Sequence, residues 1–241
     1  RALWGIVALT QANYQSVVDD TVAKGFNAIE LQIPNKDPAE LNIPFANGNT
    51  LLPFTKVLSG SAWSGTLSYG TPANEAPDFT QTNSSYWTGF IIPFLDYCLS
   101  KNILVMVGFC YCGFGGGAQN NGWLKEMVAN GTTKMTTYGQ FIGNLIASYP
   151  NLMFILAGDY GSGANSFTSG EAAVMDAFTS GLTGITKQSN LYTADPNTDS
   201  ISTDIATVTT TKSAINVVGG YSFNEGHITQ RCRDAYATGN P

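Results

Sequence analysis

A carboxylate closes the segment Tyr149-Pro150-Asn151-Leu152-Met153-Phe154-Ile155-Leu156-Ala157-Gly158-Asp159-Tyr160. The order reads as a helix end, a turn, a buried apolar strand and then an acid at the strand's C-terminal tip. In a barrel of alternating strands and helices, such tips face the reaction mouth, because the βα-loops build it. A carboxyl held in an aromatic, partly dry mouth has a raised pKa and suits proton donation near neutral pH. Asp159 is therefore the leading candidate for acid–base work, set against the plainer reading of a helix cap or a loop ion pair.

Other residues near expected strand ends have two readings each. Glu225, within Tyr221-Ser222-Phe223-Asn224-Glu225-Gly226-His227, is the only acid near the end of the sixth expected strand. It is a candidate partner acid, or a first-turn residue favoured by the helix dipole. His227 is the sole histidine, so a His-rich metal site is excluded. It either touches a substrate hydroxyl or orients a carboxylate, or it is a satisfied helix-start residue. Asn224 beside it is a hydroxyl donor or a turn former.

Tyr111 and Tyr160 follow strands, where a tyrosine ring can stack on substrate or pack under a loop. Gln32 and Asn35 flank the end of the second strand as candidate hydroxyl binders. Glu30 lies inside that strand, pointing into the barrel or pairing with a lysine. Asp195-Pro196-Asn197 reads as a turn, and Trp63, Trp87 and Trp123 as core or loop anchors. No Gly-x-Ser-x-Gly elbow exists, which excludes the usual serine-hydrolase arrangement. No cofactor or metal is expected.

The elements that must position these residues alternate along the chain. Ala2 to Leu9 reads as the first strand. Thr10 caps a helix through about Lys24, with Val17, Val18 and Val22 on one face, and Gly25 ends it in the left-handed position. Phe26 to Ile33 is the second strand, stopped by Pro34. A long irregular stretch runs from Asn35 to about Asn83, of a length that is often functional. Ser84 or Ser85 caps a helix through about Ser100, and Ile103 to Phe109 is the third strand.

After the Gly-rich loop Cys112 to Gly122 come a short helix near Trp123 to Val128 and a second from about Thr133 to Ser148. Leu152 to Ala157 is the fourth strand, with a helix from about Glu171 to Lys187. Asn190 to Ala194 is a short fifth strand, and a weak turn or helix lies near Asp199 to Ala206. Ala214 to Val218 is the sixth strand, with a helix from about Gly226 to Ala237. Apolar strands each followed by a helix imply an α/β fold with a parallel sheet and helices outside.

A doubly wound open sheet is disfavoured, since no Gly-x-Gly-x-x-Gly turn follows the first strand. Gly113-Phe114-Gly115-Gly116-Gly117 has the wrong spacing, and no P-loop lysine follows. The expected architecture is a single (β/α)8 TIM-barrel type domain over 1–241. Six units are visible, two short of closure, and the unclosed sheet would leave edges open to self-association.

Composition narrows the partners. Only 12% of the residues are charged, about half the usual share, which suits a secreted protein. With a net charge of −6 and no cluster of Lys and Arg, nucleic acid is excluded as a partner. No apolar run is long enough for a membrane span. Cys98, Cys110, Cys112 and Cys232 permit two disulfides or free buried thiols. Asn83-Ser84-Ser85 and Asn130-Gly131-Thr132 are acceptor triplets for N-glycosylation. Arg1 runs directly into a strand, as in a mature or trimmed product.

Several stretches together resemble the apiosidase-like glycoside hydrolases, a (β/α)8 family acting on plant-type glycans. Gly25-Phe26-Asn27 is similar to the family's "GFN" at the second strand. Tyr86-Trp87, Phe94-Leu95-Asp96-Tyr97 and Lys101-Asn102-Ile103-Leu104-Val105 resemble its third unit. Tyr138-Gly139-Gln140-Phe141-Ile142-Gly143, then Tyr149-Pro150-Asn151 and Gly158-Asp159, match its "YGxFxG" helix, "PN" and Gly-Gly-Asp strand end, with Ala157 in place of the first Gly. Gly226-His227 resembles its "GH" after the sixth strand.

The resemblance implies a carbohydrate substrate and a pair of carboxyl groups, one acid and one nucleophile or base. By that resemblance Asp159 is the acid/base. The family's second carboxylate is a Glu on the seventh strand, which is not visible here; the expected partner acid is either in a continuation of the chain or replaced by Glu225. The competing expectation is a non-catalytic barrel that serves as a glycan-binding or assembly protein.

Overall fold

The computed structural model describes residues 1–35, 46–65, 73–113, 122–160, 167–186, 190–196 and 208–217. Among these residues four parallel strands form one sheet in the order β1 (Ala28–Gln32), β2 (Leu104–Gly108), β3 (Leu152–Tyr160) and β4 (Leu191–Pro196). Each crossover carries helix on the outside. Parallel strands need such crossovers, which bury the outer sheet face. Ile29, Leu31, Val105, Val107 and Leu156 are accordingly fully buried.

The sheet extends past β1 at one residue. Ala2 makes a parallel bridge with Glu30, and Leu3 N–H donates to the Glu30 carbonyl. The strand expected over Ala2 to Leu9 stops there: Ile6–Ala8 is a 3-10 helix. Ile6 and Val7 are buried in either conformation, and an apolar run this short does not distinguish a strand from a buried helical turn.

Helix α1 (Gln11–Ala23) begins as expected, with the Thr10 hydroxyl accepting from the Asn13 amide, and ends at Gly25 with φ +79°. Val18 is buried beside Tyr14, whereas Val22 is 40% exposed and lies off the packed face. A helical turn Ser84–Tyr86 follows the long connection. Its cap is Asn83, not Ser84 or Ser85, with Oδ1 accepting from Ser85 N–H. The turn passes through a π segment, Trp87–Ile91, into α2 (Ile92–Ser100). Pro93 lacks an N–H and crowds the preceding turn, so the wider helical turn ahead of it relieves the clash.

Helix α3 (Leu124–Ile146) contains the two expected helices in series. They meet at Gly131, whose φ of 70° and ψ of 171° are open to glycine alone. Helix α4 (Ser169–Thr183) starts at a capping box in which Thr168 and Glu171 bond each other's backbone. The two helices approach closely. A Cβ at Gly139 would sit 2.2 Å from the Phe178 carbonyl oxygen, which gives the YGxFxG pattern a packing reason. The PN pattern has one too: Asn151 Nδ2 donates to the Ile103 carbonyl and ties β3 to the entry of β2.

Ala214 does not open a sixth strand. It closes the short helix α5 (Thr209–Ala214), and the Asn216 and Val217 amides then both donate to the Tyr192 carbonyl on β4. The expected helices near Asp199 to Ala206 and Gly226 to Ala237 lie outside the described residues.

The long connection is ordered where it is described. Antiparallel bridges join Phe54 to Thr82, Lys56 to Ala62 and Val57 to Pro77. Phe54 stacks on Phe79 at 4.7 Å, and both rings meet Trp123 and Tyr138. Trp87 Nε1 donates to the Pro53 carbonyl and Trp123 Nε1 to the Pro34 carbonyl, which makes them the anchors expected of them.

Two sequence expectations for covalent modification meet obstacles in this packing. The Asn130 amide is buried, accepts from Phe79 N–H and donates to the Pro77 and Glu126 carbonyls. Asn83 Nδ2 donates to the Leu52 carbonyl, so both glycosylation amides are engaged in the fold. Cys98, Cys110 and Cys112 are free and buried, which corrects the two-disulfide expectation.

Candidate functional site

Register determines which side chains share the inner face of the sheet. Ala28 to Gln32 run level with Leu104 to Gly108, and Met106, Val107 and Gly108 with Met153, Phe154 and Ile155. Alternation then puts Glu30, Met106 and Met153 in one layer, and Gln32, Gly108 and Ile155 in the next, nearer the C-terminal strand ends. The bridge at Ala2 carries the same count across to Trp4, two residues on and level with Gln32.

A narrow cleft opens on that face, and Trp4, Glu30, Gln32, Gly108, Tyr111 and Gly158 line it. The Trp4 and Tyr111 rings meet edge to face, with centroids 5.3 Å apart and planes at 66°. This geometry suits the aromatic quadrupoles and leaves ring surface for a ligand. Tyr111 is held close over β3 because Gly158 has no side chain. A Cβ there would lie 2.8 Å from Tyr111 Cδ2. The Gly of Gly158-Asp159 is thus a packing requirement of the aromatic wall.

The register between β3 and β4 shifts between Ile155 and Gly158 and again between Gly158 and Tyr160. Such bulges re-aim side chains at barrel rims. The main chain of Asp159 and Tyr160 belongs to β3, three residues beyond the expected end at Ala157. Asp159 directly follows pocket-lining Gly158 at the C-terminal end of the strand.

Gln32 and Tyr111 both line this pocket. Gln32 is 6% exposed, and its Oε1 has no hydrogen-bond partner. Asn35 is 2% exposed with both amide atoms unpartnered, but it is not part of the pocket lining. Buried polar groups are nearly always satisfied, so orphans beside a cleft mark places where water or ligand atoms belong. Asn224, Glu225 and His227 lie outside the described residues.

Trp4 is not among the residues that the sequence singles out, and Glu30, left there between pointing into the barrel and pairing with a lysine, lines the pocket. Their signal was the two-residue spacing to Gln32 and the parallel register with the N-terminal bridge, and that register appears only once strands are paired. Among the described pocket residues Glu30 is the only charged one.

Burial pushes the Cys110 thiol well above its ordinary value, with Cys112 adding to the shift, so Cys110 is no thiolate nucleophile. Among the described residues no group of three His, Cys, Asp or Glu could hold a metal ion, and no helix is long and apolar enough to cross a membrane.

The model of the apiosidase-like catalytic domain matches residues 3–237. No curated protein matches the chain. Among solved structures it is similar to a glycoside hydrolase family 5 protein from Bacteroides vulgatus ATCC 8482, with 16% identity and a TM-score of 0.52, covering 80% of this chain and 34% of that one. A second structure, described as a glycoside hydrolase, gives 14% identity and a TM-score of 0.53 over 81% and 35% of the two chains. This chain thus spans about a third of the length of those neighbours. Likeness at this identity speaks to fold, and the fold is of the (β/α)8 barrel type. With the match running nearly end to end, the chain belongs to the family of apiosidase-like catalytic domains.

Proposed function

We propose that this chain is a secreted glycoside hydrolase acting on a polysaccharide or glycan, with Asp159 as acid/base. One observation carries the reading. At the C-terminal ends of β1 to β3, an edge-to-face aromatic pair and the unpartnered Gln32 Oε1 share one pocket, and Asp159 follows that pocket's Gly158. Aromatic surface takes the C–H face of a sugar ring, and oxygen acceptors take its hydroxyls. In this reading Asp159 donates a proton to the departing glycosidic oxygen and then takes one from water or a sugar hydroxyl. The second carboxyl group is assigned to Glu225, or to a Glu elsewhere in the protein. Low charge content supports the secreted setting.

Asp159→Asn keeps size and removes the proton. Its turnover of a glycan that the wild type cleaves should fall on the order of 100-fold or more, with KM changed far less. Unchanged turnover would remove Asp159 from the chemistry. Binding without cleavage by the wild type would favour a glycan-binding barrel. Recovery of the protein in the culture medium of its own host tests secretion.

A further inference from the structure

Glu30 and Gln32 leave the same face of β1, two residues apart, and both line the pocket beside Trp4. Gln32 is more than nine-tenths buried, and its Oε1 has no donor. None of the described ion pairs uses Glu30. An ionised carboxylate and an amide oxygen both accept hydrogen bonds, so the pocket wall offers acceptors that lack donors. Leaving such groups unmatched is costly, and a ligand rich in hydroxyl donors matches them.

The described lining contains no Lys, Arg or His to offset the Glu30 charge. A ligand carboxylate would therefore meet a like charge in a confined, weakly screened space. Trp4 is half-buried and turns its ring edge-to-face with Tyr111, leaving apolar ring surface at the same mouth.

We infer that Trp4, Glu30 and Gln32 form a subsite selective for a neutral sugar ring: the ring packs on Trp4, its hydroxyls donate to the Glu30 carboxylate and Gln32 Oε1, and Glu30 excludes uronates. This inference rests on the glycan reading of the pocket for the class of ligand, and it does not require Asp159 to be the acid.

The test titrates the whole chain with methyl glycosides of glucose, galactose, xylose and arabinose, and with those of glucuronate and galacturonate. Tryptophan fluorescence and calorimetry follow binding. At least one neutral glycoside should bind roughly tenfold or more tighter than its uronate counterpart, as expected from a charge-assisted contact against a like-charge one. Glu30→Gln should lose about 10- to 100-fold in neutral-sugar affinity, the range for a hydrogen bond to a charged group. Its neutral-to-uronate ratio should collapse towards one while its unfolding temperature holds.

Trp4→Ala should weaken both ligand classes and leave the ratio unchanged, which separates stacking from charge. Equal or tighter uronate binding, a Glu30→Gln ratio like the wild type's, or no binding of any of these sugars overturns the subsite. Hydrolysis that survives Glu30→Gln with unaltered selectivity sinks the subsite and spares the hydrolase. Neutral-selective binding without hydrolysis does the reverse.

Discussion

Gly158→Ala is a sharp probe of how the strand end and the aromatic wall depend on each other. The added methyl would sit 2.8 Å from Tyr111 Cδ2 and 3.3 Å from Cε2, against an ordinary carbon–carbon contact of about 3.5–4.0 Å. The ring must retreat by about 1 Å, and at 7% exposure it has little free space. Overpacking of this kind costs about 1–3 kcal/mol. Gly158 is not in the left-handed region, so alanine returns about 0.4–1 kcal/mol by restricting the unfolded chain. The net loss is about 0–2.6 kcal/mol, which at about 2–4 °C per kcal/mol for a chain of this size lowers Tm by up to roughly 10 °C. Moving Tyr111 also moves the partner of Trp4, so intrinsic fluorescence and sugar affinity should change together. Thermal unfolding and ligand titration check both. A variant as stable as the wild type, with unchanged affinity, would refute the idea that Gly158 seats the ring.

Gly131→Ala should destabilise by about 1–3 kcal/mol in urea unfolding, because its backbone sits where a Cβ is strained even though open space surrounds it. Gly89→Ala, equally open but at a φ outside the left-handed region within the π segment, should be neutral or mildly stabilising in the same assay. Asn130→Ala should cost about 2–5 kcal/mol, since it strands the buried Phe79 N–H and Pro77 carbonyl. Burial alone would raise the Asp78 carboxyl, but the Lys134 ammonium and the Thr80 hydroxyl and amide outweigh it and hold the group below its ordinary value. Its stabilisation is therefore present above about pH 4, the unfolded value, and is lost as pH falls through the lower folded value. The urea midpoints of the wild type and Asp78→Asn should differ most above pH 4 and converge in acid.

Local chemistry was readable wherever one residue determines one conformation. Thr10 as cap, Gly25 as helix end and the break between two helices near Gly131 all depend on neighbours a few residues away. Contacts from distant segments explain the misses. Thr209–Ala214 is helical because Asp176, on α4, accepts from the Thr211 amide and from the Thr209 and Thr211 hydroxyls. That cap comes from 33–35 residues away and overrides weak helix propensity. At the site, Gln32 and Tyr111 were recognisable because each sits at a strand end. Trp4 was not, and Glu30 stayed open between two readings, because their membership depends on which residue of one strand lies beside which of the next.

The missing side chain at Gly108 suggests a route by which relatives could diversify. A Cβ built there meets nothing nearer than 3.8 Å, yet the position lines the pocket between Gln32 and Ile155. Growth from this one codon would fill the cavity floor while leaving the scaffold at rest. Laboratory evolution that seeks a shallower pocket, or a smaller guest, therefore has an inexpensive first step.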